Sequence, residues 1–386
     1  MNFKLAAAIT LLMISSTVSF AQEITKTAVK KAAILSTTPD EDETKTLTIS
    51  GGLDAYYRYN FSSNYANNNT SFTNSQNSFE LGMASLRADA SALAGKVTAT
   101  LDLGFGRRAQ EFSYNDGDGW PTGSGNKFGS LSIIKQAFVT YAPSSKVKFT
   151  MGKFGTHVGY EVVDAQLNRN YSMSYMFTNG PFFHTGLKAD ITAGPVGFML
   201  GVANYTDQSS STNNVKSLLA QVSGGSSDGK FKAYLNYVGS YGSNAQAIPG
   251  SLKSLSQIDL VINSTITSKF GIGFNATVQD RKTILASTSG SWWGTALYLN
   301  FDPTPATGIT LRSEYISDNK TVYYFLNNNA TKNIFANTLS FNCKVGPLTI
   351  IPELRVETSQ GAIYSKKDGT NVKSTATLLV AAVYKF

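Results

Sequence analysis

From Thr46 to the end of the chain, apolar side chains recur at every second position. In the first such stretch one face carries Leu47, Ile49, Leu53, Ala55, Tyr57, Tyr59 and Phe61. The other face carries Thr48, Ser50, Asp54, Tyr56, Arg58 and Asn60. Successive strand residues point to opposite faces, so this period predicts a β-strand with one apolar and one polar face. The pattern returns in residues 231–237, 257–266, 270–279 and 348–357, which predicts many two-faced strands.

The connections between these stretches alternate in length. The short connections are residues 94–96, 142–146, 193–195, 224–229, 267–269, 302–308 and 345–347. The long connections are residues 62–77, 107–130, 155–181, 206–214, 240–254, 280–291, 317–333 and 360–371. Seven short turns between eight long loops give about sixteen strands. This arrangement predicts an all-β fold, a closed antiparallel transmembrane β-barrel over residues 46–386, with short periplasmic turns and long extracellular loops.

Two stretches depart from simple alternation. Residues 79–94 require a phase slip near Ala84-Ser85, which a β-bulge supplies. Residues 196–205 are apolar on both faces, and the pattern does not orient them.

The first 21 residues have the form of a secretory signal peptide. Lys4 is followed by a mostly apolar stretch, and Ser19 and Ala21 place small residues at both ends of a cleavage tripeptide. The apolar stretch is too short to cross a bilayer as a helix and no stop-transfer segment follows, so a cleaved signal is favoured over a membrane anchor. We expect cleavage after Ala21 and export to the bacterial outer membrane, with the export translocon as a partner.

Residues 22–45 differ from the rest, with Lys30-Lys31, Pro39 and the acidic run 40–43. We interpret them as a periplasmic N-terminal tail. Two forms of this tail remain open: a mobile linker, or a short helix over residues 24–35 that enters the barrel.

The chain ends in a two-faced strand whose apolar face includes Tyr384 and the last residue, Phe386. A C-terminal strand with a final aromatic residue resembles the recognition signal of the barrel-assembly machinery. The same strand must pair with residues 47–61, because an open sheet edge in lipid would leave backbone groups without hydrogen bonds.

Composition excludes several classes of function. The net charge of +8 becomes +7 without Lys4 and is diffuse, so nucleic-acid binding is not indicated. Two readings of the basic excess remain open: a preference for anions in a pore, or contact with anionic lipid heads outside it. One cysteine and two histidines give no metal cluster, and no motif for a cofactor is present. A barrel hydrolase would need His157 or His184 next to a serine and a third polar group, which the sequence does not supply locally.

Several short motifs carry a resemblance to a known family. They are Gly152-Lys153-Phe154-Gly155-Thr156, Gly159-Tyr160-Glu161, Asn170-Tyr171-Ser172, Gly180-Pro181 and the preceding segment 136–143. Together they resemble the OmpL-like β-barrel porin family, over most of the chain after Thr46. The resemblance implies an outer-membrane barrel and suggests a channel. It brings no catalytic residue, cofactor or assigned solute.

Loop 155–181 is the third long loop, and in general porins a loop at this place narrows the lumen. The hypothesis is that its charged and aromatic residues line a constriction, while the alternative is a surface loop that covers the mouth. The constriction candidates are His157, Tyr160, Glu161, Asp164, Arg169, Tyr171 and Tyr175.

The polar face supplies candidates for the pore wall, since charges facing lipid near the bilayer centre would be costly. These candidates are Arg58, Glu80, Arg87, Asp89, Asp102, Lys148, Lys188, Asp190, Lys232, Asp259, Arg312, Glu314, Glu353 and Arg355. Aromatic residues near strand ends or on the apolar face are expected at the two membrane interfaces. They include Tyr57, Tyr59, Phe61, Trp292, Trp293, Tyr298, Phe335 and Phe341.

These observations favour a passive channel for small hydrophilic solutes or ions, in contact with outer-membrane lipid. The first alternative is a plugged or narrow barrel that acts as a surface binding protein or adhesin, and the remote one is a barrel hydrolase. The sequence leaves the oligomeric state open, a homo-oligomer included.

Overall fold

The computed structural model describes residues 45–63, 67–116, 129–211, 215–241, 252–283, 289–318 and 333–386. Sixteen of the described strands form the barrel wall. They are β1 (Thr46–Asn60), β2 (Ser78–Ala92), β3 (Val97–Phe105), β4 (Ile134–Ser144), β5 (Val147–Gly155), β6 (Phe183–Ala193), β7 (Val196–Asn204), β8 (Lys216–Gly225), β9 (Phe231–Tyr241), β10 (Leu252–Thr265), β11 (Phe270–Thr283), β12 (Gly290–Thr304), β13 (Thr307–Asp318), β14 (Asn333–Val345), β15 (Leu348–Ser359) and β18 (Ser374–Lys385). A separate hairpin pairs β16 (Tyr364–Ser365) with β17 (Asn371–Val372).

Every barrel strand pairs antiparallel with its neighbours, and β1 pairs with β18 to close the sheet. The predicted closed barrel and its strand number are therefore confirmed. The last residue takes part in the closure: Phe386 exchanges backbone hydrogen bonds with Gly51 of 3.0 and 3.1 Å. A Cβ atom at Gly51 would lie 2.5 Å from the Phe386 ring, so glycine makes room for the terminal side chain.

Burial assigns the two faces of the wall. Asp54 and Arg58 of β1 point inward and are each 2% exposed, whereas Leu53 points outward and is 50% exposed. The pattern that was ambiguous in the sequence is resolved in β7, where Leu200 and Val202 face outward and Met199 faces inward. The lumen side of β7 is apolar because it packs against another apolar segment inside the barrel.

The predicted phase slip exists, two residues earlier than expected. Asp54 pairs with Met83 and Ala55 with Leu81, so Gly82 is the extra residue of a β-bulge. The expectation for two aromatic residues of β12 was wrong: Trp292 and Tyr298 point into the barrel and are 1% and 2% exposed. Alternation wrongly predicted that these two side chains face the membrane, because the inward face of β12 is itself apolar.

We call the two ends of the barrel the turn end, where the short connections lie, and the loop end. The described parts of the long connections contain two short α-helices, α1 (Arg107–Phe112) and α2 (Tyr175–Asn179), and 3-10 turns at Ala165–Leu167 and Gly129–Ile133. Within the described part of the chain, no helix has the length and apolar character to cross a membrane. The predicted signal peptide and nearly all of the predicted tail, residues 1–44, lie outside the described residues.

Candidate functional site

The segment between β5 and β6, residues 156–182, folds into the barrel and contacts the wall on several sides. We call it the lumen loop. The Gly159 N–H donates to Asp259 Oδ1 of β10 at 3.0 Å, and the Tyr171 N–H donates to Glu353 Oε2 of β15 at 2.9 Å. Arg169 forms an ion pair with Asp302 of β12. These contacts reach from β10 to β15, so the loop lies in the lumen rather than over its mouth.

The first limb of the lumen loop runs along the inner wall from β9 to β13. His157 Nε2 lies 3.1 Å from the carbonyl oxygen of Tyr237. The ring of Tyr160 stacks on Tyr298 with centroids 4.0 Å apart and an angle of 18° between planes. A Cβ atom at Gly273 of β11 would lie 2.5 Å from the Tyr160 ring. The Tyr160 ring therefore occupies space that is free because Gly273 has no side chain.

The second limb contains α2. Ser174 is its N-cap residue, and its side chain accepts a hydrogen bond from the Phe177 N–H, as serine commonly does at a helix start. The Tyr175 N–H donates to Glu314 Oε2 at 2.7 Å, and the Tyr175 hydroxyl donates to Glu357 Oε1 at 2.8 Å. The loop backbone thus meets carboxylates that project inward from β13 and β15.

These carboxylates belong to a buried ionic cluster. Arg355 Nη1 lies 2.9 Å from Glu314 Oε1, and Arg312 Nε lies 3.4 Å from the same oxygen. Arg312 also forms an ion pair with Glu161 of the loop, and all of these side chains are at most 6% exposed. Buried charges need partners and hydrogen bonds, and here the loop supplies a part of both.

On the opposite side the loop is held by residues that the sequence did not single out. Lys135 Nζ lies 2.6 Å from Asp164 of the loop and 3.0 Å from Asp102 of β3. Arg108 of α1 donates to the carbonyl oxygens of Val163 and Tyr171 at 3.1 and 3.2 Å. Alternation did not predict that Lys135 points inward, because the β3–β4 pairing is irregular near Asp102 and this changes the alternation. Arg108 lies in a long loop, where the pattern carries no signal.

Four clusters of buried apolar side chains lie at the level of the lumen loop, and each contains at least one residue of the loop. They include Tyr175 with Trp292 and Ile334, Tyr171 with Tyr56 and Leu379, Val158 with Leu219 and Val238, and Met173 with Phe72, Phe112, Phe182 and Phe183. Together the clusters involve inward-facing residues of β1, β5, β7–β9, β12–β15 and β18. Apolar packing therefore joins the lumen loop to much of the wall.

The sequence-predicted wall residues fall into two groups. Arg58, Asp102, Asp259, Arg312, Glu314, Glu353 and Arg355 are at most 5% exposed, and their partners include loop residues or neighbouring wall residues. The others are more exposed. Arg87 pairs with Asp89 along the wall at 2.7 Å, as Lys148 and Lys188 do with Asp190 at 3.6 and 3.4 Å, and Glu80 pairs with Arg107 of α1 at 3.1 Å. Lys232 is exposed and lines a cavity near the turn end.

Cavities lie at both ends of the barrel. One of those near the turn end has a volume of about 500 Å³ and is lined by Arg169, Lys232, Tyr234, Asn263 and Asn300 among others. The one near the loop end has about 390 Å³ and is lined by Tyr114, Phe182, Asp207, Gln279 and Arg281 among others. Burial raises the pKa of Asp207 to about 6, although two backbone N–H groups and the Tyr114 hydroxyl oppose the shift.

Solved structures with the same architecture include three outer-membrane proteins. The outer membrane channel DcaP of Acinetobacter baumannii is 13% identical, with a TM-score of 0.59 over 89% of this chain and 97% of that one. The anion-selective porin of Comamonas acidovorans is 11% identical, with a TM-score of 0.57 over 89% and 100%. OmpT of Vibrio cholerae, in a trimer form, is 14% identical, with a TM-score of 0.56 over 89% and 99%. At these identities the likeness concerns the fold.

A search of curated protein sequences found no match to the chain. The model of a protein family described as "Putative beta-barrel porin-2, OmpL-like" matches residues 46–386, the whole of the barrel. With this match, a closed sixteen-strand wall and a loop folded into the lumen, the chain belongs to the OmpL-like β-barrel porin family.

Proposed function

We propose that the protein is an outer-membrane channel through which small hydrophilic solutes or ions diffuse passively. The observation that carries the proposal is the wall itself. Sixteen strands enclose a lumen whose turn-end half is lined by partly exposed charged groups such as Lys148, Lys188 and Asp190. A barrel of this size leaves an aqueous channel unless something fills it. The turn end would face the periplasm and the loop end the cell exterior.

The lumen loop is the proposed constriction. Its charged residues Glu161, Asp164 and Arg169 each have an ion-pair partner on or beside the wall, which would hold the loop at one height in the lumen. Charges in a narrow, low-dielectric passage select ions by sign. The proposed ion path runs past the loop and along Arg87, Asp89 and Lys232 in the turn-end half.

Single-channel conductance of the refolded full chain in a planar bilayer tests the proposal. We expect steady current steps and, under a salt gradient, a reversal potential that indicates anion preference. Replacement of residues 156–179 by a short Gly-Ser linker should enlarge the steps and weaken the ion preference. Absence of conductance from protein with the heat-modifiable gel mobility of a folded barrel would overturn the proposal, and unchanged conductance in the linker variant would overturn the role of the loop.

A second candidate, a plugged barrel that binds ligands at the cell surface, is favoured by one observation. Four separate apolar clusters pack the lumen loop against the wall, which reduces the open cross-section of the lumen. A plugged barrel would not conduct in the wild-type form and would conduct only after removal of the loop. The same two proteins in the bilayer experiment therefore distinguish the two candidates.

A hydrolase receives no support from the geometry. Thr156 Oγ1 lies 3.1 Å from His184 Nε2, but His184 is fully buried and its Nδ1 has no hydrogen-bond partner among the described residues. A nucleophile–histidine pair needs a third group to orient the imidazole.

The biogenesis of the protein belongs to the same proposal. A signal peptide ending at Ala21 would direct export, and the strand that ends in Tyr384 and Phe386 would be read by the barrel-assembly machinery. The trimer form described for the Vibrio cholerae protein makes a homotrimer in outer-membrane lipid the first oligomer to test. Edman sequencing of the mature protein checks the cleavage site after Ala21. The mass of the complex in detergent checks the homotrimer.

A further inference from the structure

The cavity near the loop end combines flat apolar rings with hydrogen-bonding side chains. It lies where the second limb of the lumen loop returns to the wall, between that limb and the inner faces of β10 and β11. Its volume of about 390 Å³ is in the range of small-molecule sites. A solute bound here would touch the lumen loop directly.

Aromatic rings form one side of this cavity. Phe182 stacks on Phe112 with centroids 5.9 Å apart, and Tyr114 lies edge-on to Phe182 at 6.1 Å. Tyr114 remains 40% exposed although it is fixed by its hydroxyl, which donates to Asp207 Oδ2 at 3.1 Å. A ring held in this way offers apolar surface at little cost in conformational entropy.

Amide and guanidinium side chains of β10 and β11 also line the cavity. The side chain of Gln279 donates to Gln257 Oε1 at 2.8 Å, and Gln257 Nε2 donates to Thr277 Oγ1 at 3.1 Å. The Nε of Arg281 is buried and has no hydrogen-bond partner among the described residues. Carboxamides both donate and accept, so Gln257 retains one N–H and one lone pair beyond these bonds.

The two carboxylates of the cavity are engaged with the backbone. Asp207 Oδ1 accepts from the N–H groups of Phe182 and Phe183 at 2.6 and 3.0 Å. Glu111 Oε2 accepts from the Phe72 N–H at 2.6 Å. These two negative charges outnumber the one positive charge of Arg281, so the lining disfavours a free anion, and a free cation would find both carboxylates already engaged.

We propose that this cavity binds a neutral, hydroxyl-rich ring, of the pyranose sugar class, at the loop-end entrance. The inference rests on the proposed channel function and names the class of solute. A pyranose has C–H faces that pack on Tyr114. Its hydroxyls donate to and accept from the carboxamides of Gln257 and Gln279, and they accept from the guanidinium of Arg281. The fixed rings and paired amides give it a preformed site.

The test is titration calorimetry of the refolded full chain in detergent, with glucose as the probe and acyclic mannitol and inorganic phosphate as comparisons. We expect saturable binding of glucose and at least tenfold weaker binding of the other two. Gln279→Leu should weaken glucose binding about three- to tenfold, the effect of losing one or two hydrogen bonds. Tyr114→Ala should weaken it, and Tyr114→Phe, which keeps the ring, should restore most of it.

Gln221→Leu is the matched control, since it removes an inward amide of β8 that lies outside this cavity. Equal binding of mannitol or phosphate, or equal effects of Gln221→Leu and Gln279→Leu, would overturn the proposal. So would absence of glucose binding by folded protein. Conductance of the same preparation separates the two ideas: a channel without glucose binding refutes only the sugar site, and binding without conductance refutes only the open channel.

Discussion

Tyr160 of the lumen loop stacks on Tyr298 of the wall, and the Tyr160 ring occupies space that the missing side chain of Gly273 leaves free. Gly273→Ala should therefore displace Tyr160, because the new Cβ atom would lie 2.5 Å from its ring. We expect altered step size or more frequent switching in single-channel records.

Gly271→Ala is the control for this prediction. Gly271 lies in the same strand as Gly273 and on the same face. A Cβ atom at Gly271 would meet only the backbone oxygen of Ser264 in β10, at 3.3 Å. Identical records for the two variants would show that the Tyr160–Tyr298 contact does not set the passage.

Loss of Arg312 should destabilise the barrel strongly. Arg312→Gln removes the buried cationic partner of Glu161 and leaves Glu314 with Arg355 alone, and removal of one partner of a buried pair costs about 3–5 kcal/mol. The free energy of unfolding in urea, measured in detergent or lipid vesicles, checks this. Arg87→Gln, in a pair with Asp89 that is more than one-third exposed, should cost less than about 1 kcal/mol. Comparable losses for the two variants would contradict the buried cluster.

Lys232 should contribute to ion selectivity. It is exposed in the turn-end cavity beside Asn263 and Asn300, so Lys232→Gln should shift the reversal potential away from anion preference. Lys366→Gln, in the exposed hairpin at the other end, should leave the potential unchanged. A shift of equal size in both variants would indicate a general effect of net charge rather than of position.

Asp207 should make stability depend on pH between about 4 and 6. Burial raises its pKa in the folded state to about 6, from an ordinary value of 3.8, so the folded protein holds the proton more tightly than the unfolded chain. Stability should increase as the pH falls through 6 and level off below 4, with an upper limit of about 3 kcal/mol. Urea unfolding of wild type and Asp207→Asn at pH 7, 6, 5 and 4 measures the effect.

The stability of wild type relative to Asp207→Asn should increase as the pH falls, since only the wild type has a buried carboxylate to protonate. Asp228→Asn, in an exposed turn, controls for the general response of the barrel to acid. A constant difference between wild type and Asp207→Asn from pH 7 to pH 4 would contradict the prediction.

The sequence alone determined the wall of this protein. Alternation of apolar and polar residues at period two reports which face of a strand a side chain occupies, and turn residues between the stretches report their number. Those two signals predicted the closed sixteen-strand barrel and the inward position of Arg58, Asp259, Arg312 and Arg355. They failed where the lumen side is also apolar, as at Tyr298.

The tertiary structure decided what the inward-facing residues meet. Arg312 and Lys232 both lie on the polar face by their phase in the sequence, yet Arg312 is buried against Glu161 while Lys232 faces a cavity. The difference comes from the lumen loop, which is distant in the sequence from the strands it contacts. Periodicity is a local property and the packing of a loop against a distant wall is not, so the choice between packed and open lumen exists only in the folded chain.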